Sequence, residues 1–381
     1  MAAGVREKSK AAIVVTTIGD GRFLDSYVGK FSLSGTLDRV RIIVIPDLKT
    51  PTALFHKCAE LRQSGVNILC PDLEDQNQYL ARLGIDNLIA VNSDHRRNVG
   101  FLMALDSDAD YVISIDDDNL CNEEEDFLWE HSVVCGGEDE FEVVRSSNGW
   151  FNICDLLETE PSNVFPRGFP FRFRDRSIQI DCRRERVSVH LNAGLWLQDP
   201  DLDAATWLIN PARSVLFRGR SAVLDKDTWA PINTQNTAVH RDAVVTFYFV
   251  RMGFVLSGLR VDRWGDIFSG YFCQACVRFL GNHVRVGTPL VNHVRNCHDY
   301  LKDLISELPC MWLMEDFIEC IRESRLQGST YTDVYLSLAQ SIDDSAEKVK
   351  GFNGDNATGV FFHKMAEDMR HWTKAVNTII G

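Results

Sequence analysis

Through the first half of the chain, short apolar runs alternate with longer stretches of helical period. Ala11 to Ile18, Arg41 to Ile45, Val66 to Cys70 and Tyr111 to Ile115 are five to eight residues long and rich in Val and Ile. That length and composition predict buried strands. Between them, Ala53 to Gln63 and Gln76 to Leu83 carry apolar residues at helical spacing. Asp94 is expected to cap a helix from about His95 to Leu105, because its carboxylate can accept a first-turn N–H. This alternation predicts an α/β fold, a mostly parallel central sheet flanked by helices. From about Gly136 to Val261 the periodicity weakens and Arg, Asp, Pro and aromatic residues increase, which predicts an antiparallel extension and loops over the sheet edge. Gly270 to Leu280 is expected to be helical. Met311 to Arg325, Tyr331 to Lys350 and Gly359 to Ile380 predict a C-terminal helical extension, with Gly351-Phe352-Asn353-Gly354 as a linker. The expected division is a main α/β unit over 1–305 and a helical subdomain over 306–381.

A chain of 381 residues, 45% of them apolar, can bury a large core. Its net charge of −14 argues against a nucleic-acid surface, which usually shows a basic surplus. No apolar run approaches the roughly 18 residues that span a bilayer, and Met1 to Lys10 lacks the features of a signal peptide. The eleven cysteines are scattered, so reduced thiols and a cytoplasmic location are expected. Cys273 and Cys276, with His293, Cys297 and His298, approximate zinc spacing. The Cys pair, however, lies inside a helical pattern with Phe272 and Phe279 and is read as buried thiols.

The chemistry points to YVISIDDDNL, Tyr111 to Leu120, where a buried-strand pattern ends in Asp116, Asp117 and Asp118. In open α/β sheets ligands bind at the carboxyl ends of the strands. Three adjacent carboxylates repel one another unless a cation or donors compensate them, and a Mn²⁺ or Mg²⁺ ion shared with substrate phosphates is the usual solution. The plainer alternative is a solvated acidic turn. Arg96 and Arg97, at the start of the preceding helix, could serve a pyrophosphate, or they could be an ordinary exposed pair. Thr16, Thr17 and Ile18 end the first predicted strand and Asp47 follows the second; these are candidates for base and ribose, or for turn caps.

These segments resemble the reversibly glycosylated polypeptides, plant UDP-arabinopyranose mutases with bacterial relatives, and this chain looks like a divergent bacterial one. The carriers are RRNVGFLMA (Arg96 to Ala104), YVISIDDDN, PRGFPFRFR (Pro166 to Arg174), GLWLQDPDLDAAT (Gly194 to Thr206), RWGDIFSGYFCQ (Arg263 to Gln274) and GTPLVNH (Gly287 to His293). The resemblance implies a GT-A-like fold, a UDP-sugar donor and a Mn²⁺ or Mg²⁺ ion. It places Asp116, Asp117 and Trp196 on the nucleotide sugar, and Asp118 and His293 on the metal. Arg167 matches the arginine of reversible self-glycosylation, and Asp266 matches the second acid of a pair. Gly265 stands where the first acid is expected, and APINTQNTAVHRDA (Ala230 to Ala243) replaces a glycine- and methionine-rich segment. These departures favour sugar transfer to a small-molecule acceptor, with Asp266 and Arg167 as catalytic residues, over a UDP-sugar mutase. A non-catalytic nucleotide-sugar-binding subunit is the reading from another class. His293 as a core imidazole, Arg167 as a structural ion pair and Asp266 as a helix cap are the bland counterparts, and a homo-oligomer is compatible with the sequence.

Overall fold

The structure is a computed structural model and describes residues 2–174, 178–349, 351 and 353–381. Lys350 and Phe352, which the sequence places at a helix end and in the linker, lie outside the described residues. In chain order the elements begin α1 (Ala2–Arg6), β1 (Ala11–Thr17), α2 (Phe23–Ser34), β2 (Val40–Pro46), α3 (Thr52–Gln63), β3 (Ile68–Leu69), α4 (Leu73–Arg82), α5 (Arg97–Leu105), β4 (Tyr111–Asp116), β5 (Asn119–Cys121) and α6 (Phe127–His131). There follow β6 (Glu138–Ser146), β7 (Leu157–Glu160), β8 (Ile180–Gln198), α7 (Ala204–Ile209), β9 (Arg213–Phe217), β10 (Ala222–Leu224), β11 (Asn236–His240), β12 (Val255–Leu256) and β13 (Leu259–Arg260). The chain ends with α8 (Gly265–Phe279), β14 (His283–His293), α9 (Tyr300–Glu323), α10 (Tyr331–Ser345) and α11 (Ala357–Ile380).

The central sheet runs β3-β2-β1-β4-β11-β8-β6-β10-β14-β5, and β8 also pairs with β14. Its first four strands are parallel. The chain leaves β1 outward to β2 and β3, then returns to β4 on the other side of β1, so a topological switch point lies between β1 and β4. That crevice is where α/β sheets bind ligands. Helix α5 lies close on this half: a Cβ at Gly100 would come 2.4 Å from Val14 Cγ1 and 3.1 Å from Ile45 Cγ1. The α/β class, the helix-flanked sheet and the C-terminal helices are those expected from the sequence. The helices share the sheet's core: Trp372 on α11 is fully buried and donates to the Val245 carbonyl at 2.8 Å. Helix α9 runs unbroken through residue 306, so a unit boundary at 305/306 would cut it.

Two local expectations are corrected. Ser93, not Asp94, makes the cap hydrogen bond before the helix, accepting from the His95 N–H at 3.2 Å, and Asp94–Arg96 form a 3-10 turn ahead of α5. The middle region does not only border the sheet. It supplies β11, which pairs antiparallel with β4 from Asn236 opposite Ile115 to His240 opposite Tyr111. The polar residues of this buried strand obscured it. Asn236 is 1% exposed, and its amide is satisfied by the Leu195 carbonyl at 2.9 Å and His131 Nε2 at 3.0 Å.

His131 carries a pH dependence. It is fully buried between Asn236 and Asn192, and burial, partly offset by the Asn236 hydrogen bond, lowers its pKa to about 4. A lowered folded-state pKa makes the unfolded chain bind the proton first, so stability is complete above the unfolded value of about 6.5 and falls as pH drops toward 4. Urea melts at pH 7 and pH 5 are expected to differ by about 2 kcal/mol from this group alone. Equal stability at the two pH values would contradict a neutral buried His131.

Candidate functional site

The carboxyl ends of β1, β2, β4 and β14 meet at the switch point, and the sequence-predicted residues distribute around it in three groups. At the first, Thr17 Oγ1 donates to Asp117 Oδ2 at 2.5 Å and accepts from the Gly19 N–H at 2.8 Å. Burial, partly offset by the Thr17 bond, raises Asp117 to about 6. Ile18 is exposed on the rim. Asp47 accepts the N–H groups of Asn92 and Ser93 at 2.8 and 2.9 Å, tying the loop before α5 to the end of β2.

Arg97 and Arg96 separate. The Arg97 guanidinium is buried in the sheet end, donating to Ser114 Oγ at 2.8 Å, Thr234 O at 2.9 Å, Thr16 Oγ1 at 3.1 Å and Asp116 Oδ1. It fixes Asp116, whose carboxyl burial nonetheless holds above the ordinary range. Arg96 turns the other way and donates to Gln76 Oε1 at 2.9 and 2.7 Å. Its guanidinium braces α4 instead of pointing into the crevice.

The second group joins Asp118 to His293, the last residue of β14. His293 Nε2 lies 3.4 Å from Asp118 Oδ2, and His293 Nδ1 lies 2.6 Å from the Asp199 carbonyl. A carbonyl only accepts, so Nδ1 carries a proton, and Nε2 faces the carboxylate with a lone pair in the neutral ring or with a second proton in the imidazolium. Two acceptors at that distance require a proton or a cation between them. Burial opposes both charges, but mutual attraction outweighs it, raising His293 and lowering Asp118. A carboxylate oxygen and an imidazole nitrogen held side by side are donors that Mn²⁺ or Mg²⁺ accepts, so the pair would suit such an ion. A ring nitrogen bonded to a carbonyl behind it is the usual orientation of a ligating histidine. Among the described residues no three His, Cys, Asp or Glu side chains converge on one point, so an ion held by this pair would need further oxygen ligands from substrate and water.

The third group surrounds Arg167. Its Nε and Nη2 donate to the two oxygens of Asp201 at 3.0 and 3.1 Å, its Nη2 and Nη1 to those of Asp266 at 2.5 and 3.1 Å, and Nη1 also to the Arg263 carbonyl. All five donors are used, so this guanidinium sits in a buried ion-pair network. Burial works against Asp201, but Arg167 overcomes it and holds that carboxyl at about 2. Asp266 lies in the first turn of α8 without capping it; its oxygens go to Arg167. Asn233 Nδ2 bonds Asp201 at 2.7 Å, and Trp196 Nε1 bonds Gln235 Oε1 at 3.0 Å. The backbone N–H of Asp116 reaches the Gln235 carbonyl at 3.2 Å, linking this group to the acidic strand end. Gly265 admits no side chain, since a Cβ would meet the Val250 carbonyl oxygen at 2.3 Å. The single acid at this position is therefore built into the packing.

Sequence reasoning did not single out Asp199, Asp201, Asn233, Gln235 or Arg295. Asp199 and Asp201 sit within QDPDLD, whose density of acids was a usable signal. Arg295 had none. It follows His293 by two residues, its guanidinium is 4.8 Å from the Trp207 ring centroid, and its Nε and Nη1 are buried without a protein partner. The CxxC pair is buried in α8 as free thiols.

Arg167→Lys keeps one charge but loses the fork that holds two carboxylates. The variant is expected to melt lower by several degrees and to lose turnover while keeping UDP affinity; wild-type turnover with an unchanged melting temperature would contradict this network's importance.

An α/β fold with an acidic strand end facing a histidine defines a class of candidate, and sequence comparison supplies the family. Residues 13–380 match the model for the reversibly glycosylated polypeptide family, and the chain belongs to that family. UDP-arabinopyranose mutase 1 of Arabidopsis thaliana is 26% identical over 215 residues, 55% of this chain and 54% of that protein. UDP-arabinopyranose mutase 1 of Oryza sativa subsp. japonica is 26% identical over 215 residues, 55% and 53%. The match thus spans about half the length of these relatives. Among solved structures, glucosyl-3-phosphoglycerate synthase from Mycobacterium tuberculosis in complex with Mn²⁺ and UDP-glucose is similar at 10% identity and a TM-score of 0.38, over 82% of this chain and 80% of that one. No helix among the described residues is long and apolar enough to cross a membrane.

Proposed function

We propose that this protein is a metal-dependent enzyme acting at the anomeric carbon of a UDP-sugar, and that it passes the sugar to a small-molecule acceptor. The observation that carries the reading is the Asp118–His293 pair, two acceptors 3.4 Å apart at the strand ends with the histidine oriented by a carbonyl behind it. Asp118 and His293 would hold Mn²⁺ or Mg²⁺, which when bound neutralises charge on the diphosphate leaving group. Thr16, Thr17, Ile18 and Asp47 line the base and ribose side, and Asp116, fixed by Arg97, and Asp117 border the diphosphate. Arg295, whose buried N–H groups lack partners, offers them to phosphate oxygens. Trp196 and the Gln235–Asn233 pair border the sugar.

As the bond from anomeric carbon to diphosphate oxygen breaks, its electron pair leaves with UDP. The acceptor oxygen bonds to that carbon and passes its proton to Asp266, each of whose oxygens keeps a lone pair beyond its bond to Arg167. Arg167 is then a positioning residue for Asp266. A second reading, the UDP-sugar mutase, is favoured by the names of the relatives and needs no external acceptor. The closed packing at Gly265, which removes one acid of the pair that the resemblance leads one to expect, favours transfer. Incubating the enzyme with UDP-sugars and Mn²⁺ but no acceptor, followed by chromatography, separates the two. Little isomerised nucleotide sugar is expected; its accumulation would replace transfer by the mutase.

A further inference from the structure

The edge of the sheet at β3 carries an open cavity of about 750 Å³, built from different residues than the acidic strand end. Arg41 enters it from the first half of β2, Arg62 from the last turn of α3 and Arg82 from the end of α4, with Tyr79, Gln78 and Asp75 on the same wall. The volume suits a small metabolite. Three guanidinium groups line it beside one carboxylate, Asp75, while Asp106 and Asp108 lie close enough to act on Tyr79 and Arg41, in a chain whose net charge is −14. Some arginines of this protein find carboxylates, as Arg97 does with Asp116, Arg251 with Asp368 and Arg285 with Glu130, and others, such as Arg96, bond neutral acceptors. Among the described residues, Arg41, Arg62 and Arg82 form no ion pair. Arg62 Nε donates only to the Ile68 carbonyl, at 3.1 Å, and Arg82 lies 5.3 Å from the Tyr79 ring centroid. Two polar atoms of the lining are buried with no partner at all, Arg41 Nε and the Tyr79 hydroxyl. Buried donors are rarely left unmade in native proteins, and each costs free energy until something accepts from it.

We infer that this cavity binds a small phosphorylated anion, with the guanidinium groups of Arg41, Arg62 and Arg82 as charge partners. Phosphoryl oxygens supply several acceptors and the negative charge that this group of forks lacks. Free phosphate and a sugar phosphate share that chemistry.

The full-length protein, saturated with UDP and Mn²⁺, is titrated calorimetrically with inorganic phosphate and separately with glucose 1-phosphate, against sodium chloride at equal ionic strength. One phosphate per chain is expected to bind beyond the chloride control. In Arg62→Gln/Arg82→Gln the affinity should fall at least about tenfold, since one charge-assisted contact is worth that much or more, while UDP affinity stays the same. Both arginines are exposed, so the double variant is expected to keep the wild-type melting temperature. Tighter binding of glucose 1-phosphate would support a sugar phosphate as the ligand, and equal binding would support phosphate itself. No binding beyond chloride, or binding that survives the double substitution, would overturn the inference.

Discussion

Asp266→Asn is expected to fold, to bind UDP with wild-type affinity and to lose turnover by roughly 10² to 10⁴-fold, the range that a positioned general base contributes. The carboxylate stands in the first turn of α8 with both oxygens held by Arg167, and Arg167 is held from its other side by Asp201. The amide keeps one acceptor for Arg167, and the Asp201 fork remains, so the buried guanidinium is not orphaned. What disappears is the carboxylate that, in the proposed transfer, takes the acceptor's proton. Steady-state rates with a transferred sugar, set beside UDP titrations and thermal melts of the same preparation, separate catalysis from folding. Turnover within a factor of a few of wild type would remove Asp266 from the reaction.

Asp118→Asn is expected to weaken UDP binding in Mn²⁺ on the order of 10²-fold, about 2.7 kcal/mol, and to leave binding in EDTA unchanged. In the proposed site the protein would offer the cation one carboxylate and one imidazole. Removing the only formal charge of that pair therefore removes most of the electrostatic attraction the chain supplies there. The substitution also removes the partner that raises His293 against the effect of burial, so the histidine in the variant stays neutral at lower pH than in the wild type. Equal UDP affinity for variant and wild type, with and without the metal, would take Asp118 out of the cation site.

The parallel half of the sheet was legible in the sequence because its strands are apolar on both faces. Ala11–Thr17 and Tyr111–Asp116 are buried almost throughout, as their unbroken runs predict. β11 was not legible: Asn236 and Thr237 are buried polar residues that depend on partners far away in the chain, and no local pattern reveals His131 as one of them. The same distinction runs through the site. Asp116 to Asp118 stand out because three charges follow a buried strand, whereas Arg295 became visible only when its buried N–H groups were found beside the histidine that ends β14. Arg96 and Arg97 are adjacent in sequence and lie next to each other at a helix start, yet one braces Gln76 and the other clamps Asp116. Direction, unlike position, depends on the neighbouring elements. Arg167 shows the same limit: the segment that carries it could be recognised, but its commitment to two carboxylates arises from residues 34 and 99 positions away.

The proposed cation-dependent nucleotide site is tested most directly by calorimetric titration of the wild-type protein with UDP, once in Mn²⁺ and once in EDTA. One UDP per chain, bound in Mn²⁺ at least tenfold more tightly than in EDTA, is the predicted result. Equal affinity under the two conditions, or no UDP binding in either, would contradict it.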